Sequence, residues 1–123
     1  MIKEDYVSLE IAKLLQEKGF DEDIRTWYTE DEQDLVNAYV LLSNTDFMAN
    51  DEKNYSAPTM QMAFKWLREK KVYVSIFKFA SENNWRYSIE LGIPLRFYIG
   101  ESTPFKTYEE AAEAALKVVL ENL

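Results

Sequence analysis

The chain contains no cysteine and no histidine. The first absence excludes disulfides and thiolate metal sites. The second removes the commonest protein metal ligand and the commonest general base. Glycine and proline are scarce, at three each, and Gly19, Gly92 and Gly100 stand isolated from one another. No glycine-rich loop is therefore present to cradle a phosphate. No apolar run approaches the roughly 18 residues of a membrane span. The opening MIKEDYVSLE has neither the basic start nor the apolar core of a secretory signal. The expected location is cytoplasmic, with no membrane partner.

What is present is an aromatic-rich acidic chain. Of its 123 residues, 47% are apolar and 15% aromatic, which argues against disorder and supplies a core for one domain over 1–123. The net charge of −8 is unevenly spread: residues 1–54 hold 14 acids and 5 bases, 55–100 hold 3 and 7, and 101–123 hold 5 and 2. The overall sign disfavours non-specific nucleic-acid binding, which needs phosphate neutralisation by Lys and Arg. The asymmetry allows an acidic face on the N-terminal half, although acids of this kind most often form a solvated surface.

The stretch 56–79, SAPTMQMAFKWLREKKVYVSIFKF, organises the chain. Met60, Ala63, Phe64 and Leu67 recur at the spacing of one helix face, widened by Met62 and Trp66. Lys70 and Lys71 suit the negative end of the helix dipole. Residues 72–79 read as a strand apolar on both faces and hence central in its sheet. Upstream, Ser8 caps a helix over 9–18, which Gly19 stops with Phe20 folded back on Leu15. Residues 24–28 read as a strand. Residues 35–42 fit a helix by Leu35, Val36, Tyr39 and Val40, and a strand by their β-branched and aromatic content. A strand paired with 24–28 through an acidic turn is favoured. Residues 43–57 read as a long irregular loop. Downstream, 85–91 alternates with period two, 95–99 follows as a third strand of a meander, and Thr107 with Glu110 opens a last helix whose stripe is Ala112, Ala115, Leu116, Val119 and Leu123. The expected class is α+β in two layers, with an antiparallel sheet of about five strands and three helices in the order α-β-β-α-β-β-β-α.

Three stretches belong together: EDYVSLEIAKLLQEKGF, SAPTMQMAFKWLRE and YEEAAEAALKVVLENL. Their order and spacing resemble a set of short uncharacterised proteins carried by phages, prophages and integrated elements of gut anaerobic bacteria. Members often carry a histidine soon after LRE, where this chain has Lys70 and Lys71. The resemblance implies a genomic setting and no catalytic residues.

The acids Asp21, Glu22, Asp23, Glu30, Asp31, Glu32 and Asp34 form the candidate interaction surface. Paired-carboxylate hydrolysis needs two acids fixed across a cleft, and these fall in turn-like sequence. Asp46, Asn50, Asp51, Glu52 and Asn54 are oxygen ligands in one stretch, but their spacing is not that of an EF-hand. Ser75 with Lys78 is a bare Ser–Lys pair. Lys65, Arg68, Lys70, Lys71 and Lys78, interleaved with Trp66 and Tyr73, could make a basic patch, although Trp66 reads as core. The expectation is a non-enzymatic interaction protein without catalytic residues, metal or cofactor. Its partner would be a host or element-encoded protein, and one form of it is an acidic surface that mimics nucleic acid. The alternatives are a small carboxylate- or metal-dependent enzyme and a weak nucleic-acid module. Monomer and homodimer both remain open, with 95–99 as the strand edge that could pair.

Overall fold

The computed structural model of the chain describes residues 2–31, 34–92, 97–101 and 103–123. Its contacts cluster into two units, Met1–Thr59 with Leu123, and Met60–Asn122. Each is α+β, and each carries a three-stranded antiparallel sheet.

The first unit runs α1 (Leu9–Glu17), β1 (Ile24–Thr29), β2 (Val36–Leu42), α2 (Asn44–Ala49) and β3 (Asn54–Ser56). Helix α1 begins and ends as its sequence dictates. The Ser8 hydroxyl accepts from the Ile11 amide. At the other end Phe20 N–H donates to Leu15 C=O at 2.9 Å and Gly19 N–H to Gln16 C=O at 3.2 Å. That double bond is the Schellman stop, and it requires the positive φ of +95° that Gly19 adopts. Phe20 and Leu15 are both fully buried, which closes the apolar contact of the motif. Strand β1 is central, with β2 on one side and β3 on the other. Ile24, Thr26 and Tyr28 point into the core with Val7, Ile11 and Leu15. The two polar members of that face are satisfied: Thr26 Oγ1 donates to Ala57 C=O and Tyr28 OH to Val7 C=O, each at 2.7 Å.

The second unit runs α3 (Met60–Glu69), β4 (Val72–Phe77), β5 (Arg86–Leu91), β6 (Phe97–Glu101) and α4 (Tyr108–Glu121). It is two-layered: α3 and α4 touch each other and pack on the same sheet. Val72, Val74 and Ile76 stand opposite Leu91, Ile89 and Tyr87. Onto them come Ala63, Phe64 and Leu67 of α3 and Ala112, Ala115, Leu116 and Val119 of α4, all buried. The expected meander is present, with β5 paired to β4 and β6. Leu95 and Arg96 lie outside the described residues.

The α+β class is as expected, and the element order differs. Among the described residues there are four helices and six strands in two sheets, where three helices and five strands in one sheet were expected. The additions, α2 and β3, both fall in the stretch expected to be a loop. Their short sequences hold because of tertiary partners. Ser43 and Asp46 form a reciprocal capping box, Phe47 is buried, and Trp27 meets Phe47 edge-on at 5.4 Å between ring centroids. Strand β4 is an edge rather than a centre. Tyr73 and Ser75 on its second face are exposed, so aromatic content stood for strand propensity and not for two-sided burial. Leu123 is exposed, while Ala111 and Leu120 join the buried stripe of α4. At the start of α4 the Thr107 hydroxyl accepts from the Glu110 amide and donates to the Glu110 carboxylate.

One buried amide ties the first unit together. Asn44 is 1% exposed. Its Nδ2 donates to Phe20 C=O at 2.7 Å, and its Oδ1 accepts from Gln16 Nε2 at 2.8 Å and from Ser56 N–H at 3.0 Å. Asn44→Ala removes all three of these hydrogen bonds at a buried site, including the one that satisfies Ser56 N–H. It is expected to lower unfolding stability by about 2–4 kcal/mol, read as a reduced urea midpoint; an unchanged midpoint would contradict this role.

Candidate interaction surface

Strand β2 is an apolar edge strand that does not run in regular register. Ile24 stands opposite Leu42 and Thr26 opposite Asn37. Two steps along β1 thus span five along β2, so β2 carries three extra residues opposite Arg25. Extra residues of this kind bend a strand and re-aim its side chains. Here they present Tyr39, which is fully exposed, with Val40 at 48% and Leu41 at 54%. Three adjacent apolar side chains in water contrast with the scattered single exposures that any surface shows.

The acids expected to form one surface divide into two groups. Asp21, Glu22 and Asp23 precede β1, while Glu30, Asp31 and Asp34 lie in the turn after it. Six residues of strand separate them, a distance on the order of 20 Å. Glu32 lies outside the described residues. Because β2 runs antiparallel to β1, one group lies at each end of β2, and the exposed apolar residues sit opposite Arg25, nearer residues 21–23.

Two of the acids serve the fold. The Asp21 carboxylate accepts the Thr45 backbone N–H at 2.7 Å and the Thr45 hydroxyl, holding the first turn of α2. Those hydrogen bonds lower its pKa below the ordinary carboxylate value. Glu30 pairs with Lys53 at 3.7 Å. Burial raises the pKa of the Tyr55 phenol, and the charge of Glu30 adds to the rise. Glu22, Asp23, Asp31 and Asp34 are exposed.

The other candidates are placed as follows. Asp46 accepts from the Ser43 amide, Asn50 donates to Asp46 C=O, and Asn54 donates to Glu52. The Asp46 and Glu52 carboxylates thus accept local hydrogen bonds, and no group of three acids converges as a metal requires among the described residues. Trp66 is buried, with Lys70 over its ring at 4.6 Å. The Lys78 ammonium lies over the Trp85 ring, 5.6 Å from its centroid. Trp66 is thus committed to the core and gives bases no face to stack on. No helix among the described residues is long and apolar enough to cross a membrane.

No protein-family model, curated protein or solved structure matches the chain. Strand propensity over 35–42 does not say which face of β2 is wet, so it leaves the strip unassigned. The signal was legible: Ala38 to Leu42 is a continuous apolar run beside an acidic turn, with no alternation.

The position of Asp21 sets a pH dependence. Its pKa is depressed in the folded chain, so its contribution is fully present above the ordinary value of 3.8. That contribution is lost as pH falls through the lower folded value. The stability difference between the wild type and Asp21→Asn is therefore expected to be constant from neutral pH to about 5 and to shrink below 4. Urea midpoints at several pH values measure it; a difference that grows toward low pH would refute the assignment.

Proposed function

We propose that this chain is a non-enzymatic protein-binding module whose contact is the bulged strip of β2. The observation that carries the reading is the exposure of Tyr39, Val40 and Leu41 together on a sheet edge. Tyrosine is enriched among residues that dominate binding energy, because it buries a large area at low entropy cost. The resemblance to proteins of phages and integrated elements suggests the setting: an accessory factor acting on a host or element-encoded protein.

Catalysis by paired carboxylates is less well supported. It needs the two groups about 5–10 Å apart, and the two acidic stretches sit roughly twice that far apart or more. A nucleic-acid module is disfavoured by the burial of Trp66 and by the acids at both ends of β2. The acids enter this reading as flanks of an apolar contact.

Tyr39→Ser and Leu41→Ser remove exposed side chains and are expected to change stability by no more than about 0.5 kcal/mol. In an affinity capture from bacterial lysate, the double variant is expected to retain at least tenfold less of whatever protein the wild type holds. Ile2→Ser, at an equally exposed position, serves as the control and is expected to retain it fully. Equal retention by the wild type and the double variant overturns the reading.

A further inference from the structure

We infer that the segment docking on β2 is an extended stretch of the partner protein, uncharged over about six residues with one apolar face, and with Lys or Arg at both ends. This rests on the reading of the strip as a protein contact and adds the chemistry of its occupant. Strand β2 has one charge pattern along its length. Asp21, Glu22 and Asp23 lie at one end, Asp31 and Asp34 at the other, and the exposed Arg25 stands opposite the bulge between them. A complementary segment therefore carries cations at its ends and none in its middle. The ends are separated by the length of β1, and an extended chain covers that distance in about six residues.

The same pattern argues against a second copy of this chain as the occupant. Pairing two β2 edges about a two-fold axis sets the 30–34 turn of one copy against residues 21–23 of the other. Both junctions would then bring acid against acid, which costs affinity. The pattern also repels the phosphates of a nucleic acid. The bulge interrupts the regular spacing of backbone groups along β2, so recognition falls to side chains around Tyr39 more than to an added strand.

The test uses the full chain labelled with nitrogen-15 and three synthetic peptides. The first has six alternating valines and threonines between two pairs of lysines. The second has the same core between pairs of glutamates. The third has the lysine pairs around a two-residue core. The first peptide is expected to shift amides of Val36–Leu42 saturably, and to bind at least threefold more weakly when NaCl rises from about 50 to about 300 mM. The second and third are expected to bind at least tenfold more weakly. A variant carrying Glu22→Gln, Asp23→Asn, Asp31→Asn and Asp34→Asn is expected to lose most of the salt dependence.

Equal binding of the lysine and glutamate peptides at 36–42 overturns the charge pattern and leaves the docking strip standing. No shift at 36–42 with any peptide, while Tyr39→Ser with Leu41→Ser still abolishes capture, overturns the extended basic segment alone. No shift together with intact capture removes both readings. Shifts at 36–42 that depend on protein concentration without any peptide make a second copy the occupant and overturn the inference.

Discussion

The first unit depends on the satisfaction of one buried amide. Asn44 stands at the first position of α2 and is shielded from water, so each of its polar atoms must find a partner inside the chain. It finds them in three elements: the stop of α1 at Phe20, the side chain of Gln16 one turn earlier, and the backbone of β3 at Ser56. Gln16 also donates to Asn54 C=O at 2.9 Å. Helix α1, helix α2 and strand β3 are thus fixed by hydrogen bonds that an apolar residue could not make. Each bond is worth only about 1 kcal/mol net, but leaving any of them unmade costs more than making it gains. The short α2 and β3 exist on those terms, since neither has the length to be stable alone.

That constraint has a consequence for the surface. With α2 anchored at Asn44 and Ser43 capping it, the chain leaving β2 at Leu42 has a fixed end. The other end is fixed by the pairing of Val36 with Trp27. Between these points β2 holds three residues more than β1 needs, and the surplus can go only outward, because Thr26 and Tyr28 already fill the core face of β1 with satisfied polar groups. Exposure of Tyr39, Val40 and Leu41 follows from this mismatch in length between two anchored points.

What could be read in advance follows a physical division. Helix α1 was legible because its signals are local: Ser8 at one end, and Gly19 with Phe20 at the other. The meander of the second unit was legible because Tyr87, Ile89 and Leu91 alternate with Arg86, Ser88 and Glu90. The α2–β3 stretch was not, because its stability comes from residues far away in sequence: Gln16, Phe20 and Trp27. Ser43 and Asp46 did carry a capping signature, yet six residues of helix with polar neighbours look like a loop until Phe47 is known to be buried. The candidate surface divides in the same way. The acids were visible as a composition, but their separation by the length of β1, and the use of Asp21 as a cap, are properties of the fold. The apolar run from Ala38 to Leu42 was visible, but its exposure depends on a register shift, which no local pattern encodes.

In the proposed reading, the exposed acids beside an apolar edge have two physical consequences. Charges that flank a hydrophobic strand hinder its pairing with copies of itself, since like charges meet wherever two such edges align. The same charges lower the free energy of a partner bearing the opposite sign at the same spacing. Under that reading, rejection of self and selection of a basic-flanked segment are one arrangement seen against two competitors. Asp21 and Glu30 are already engaged by Thr45 and Lys53, so this discrimination falls chiefly to Glu22, Asp23, Asp31 and Asp34. Because those four are exposed, their effect is screened by salt, whereas burial of Tyr39 against a partner is not. As proposed, affinity and selectivity thus fall to different side chains of one edge.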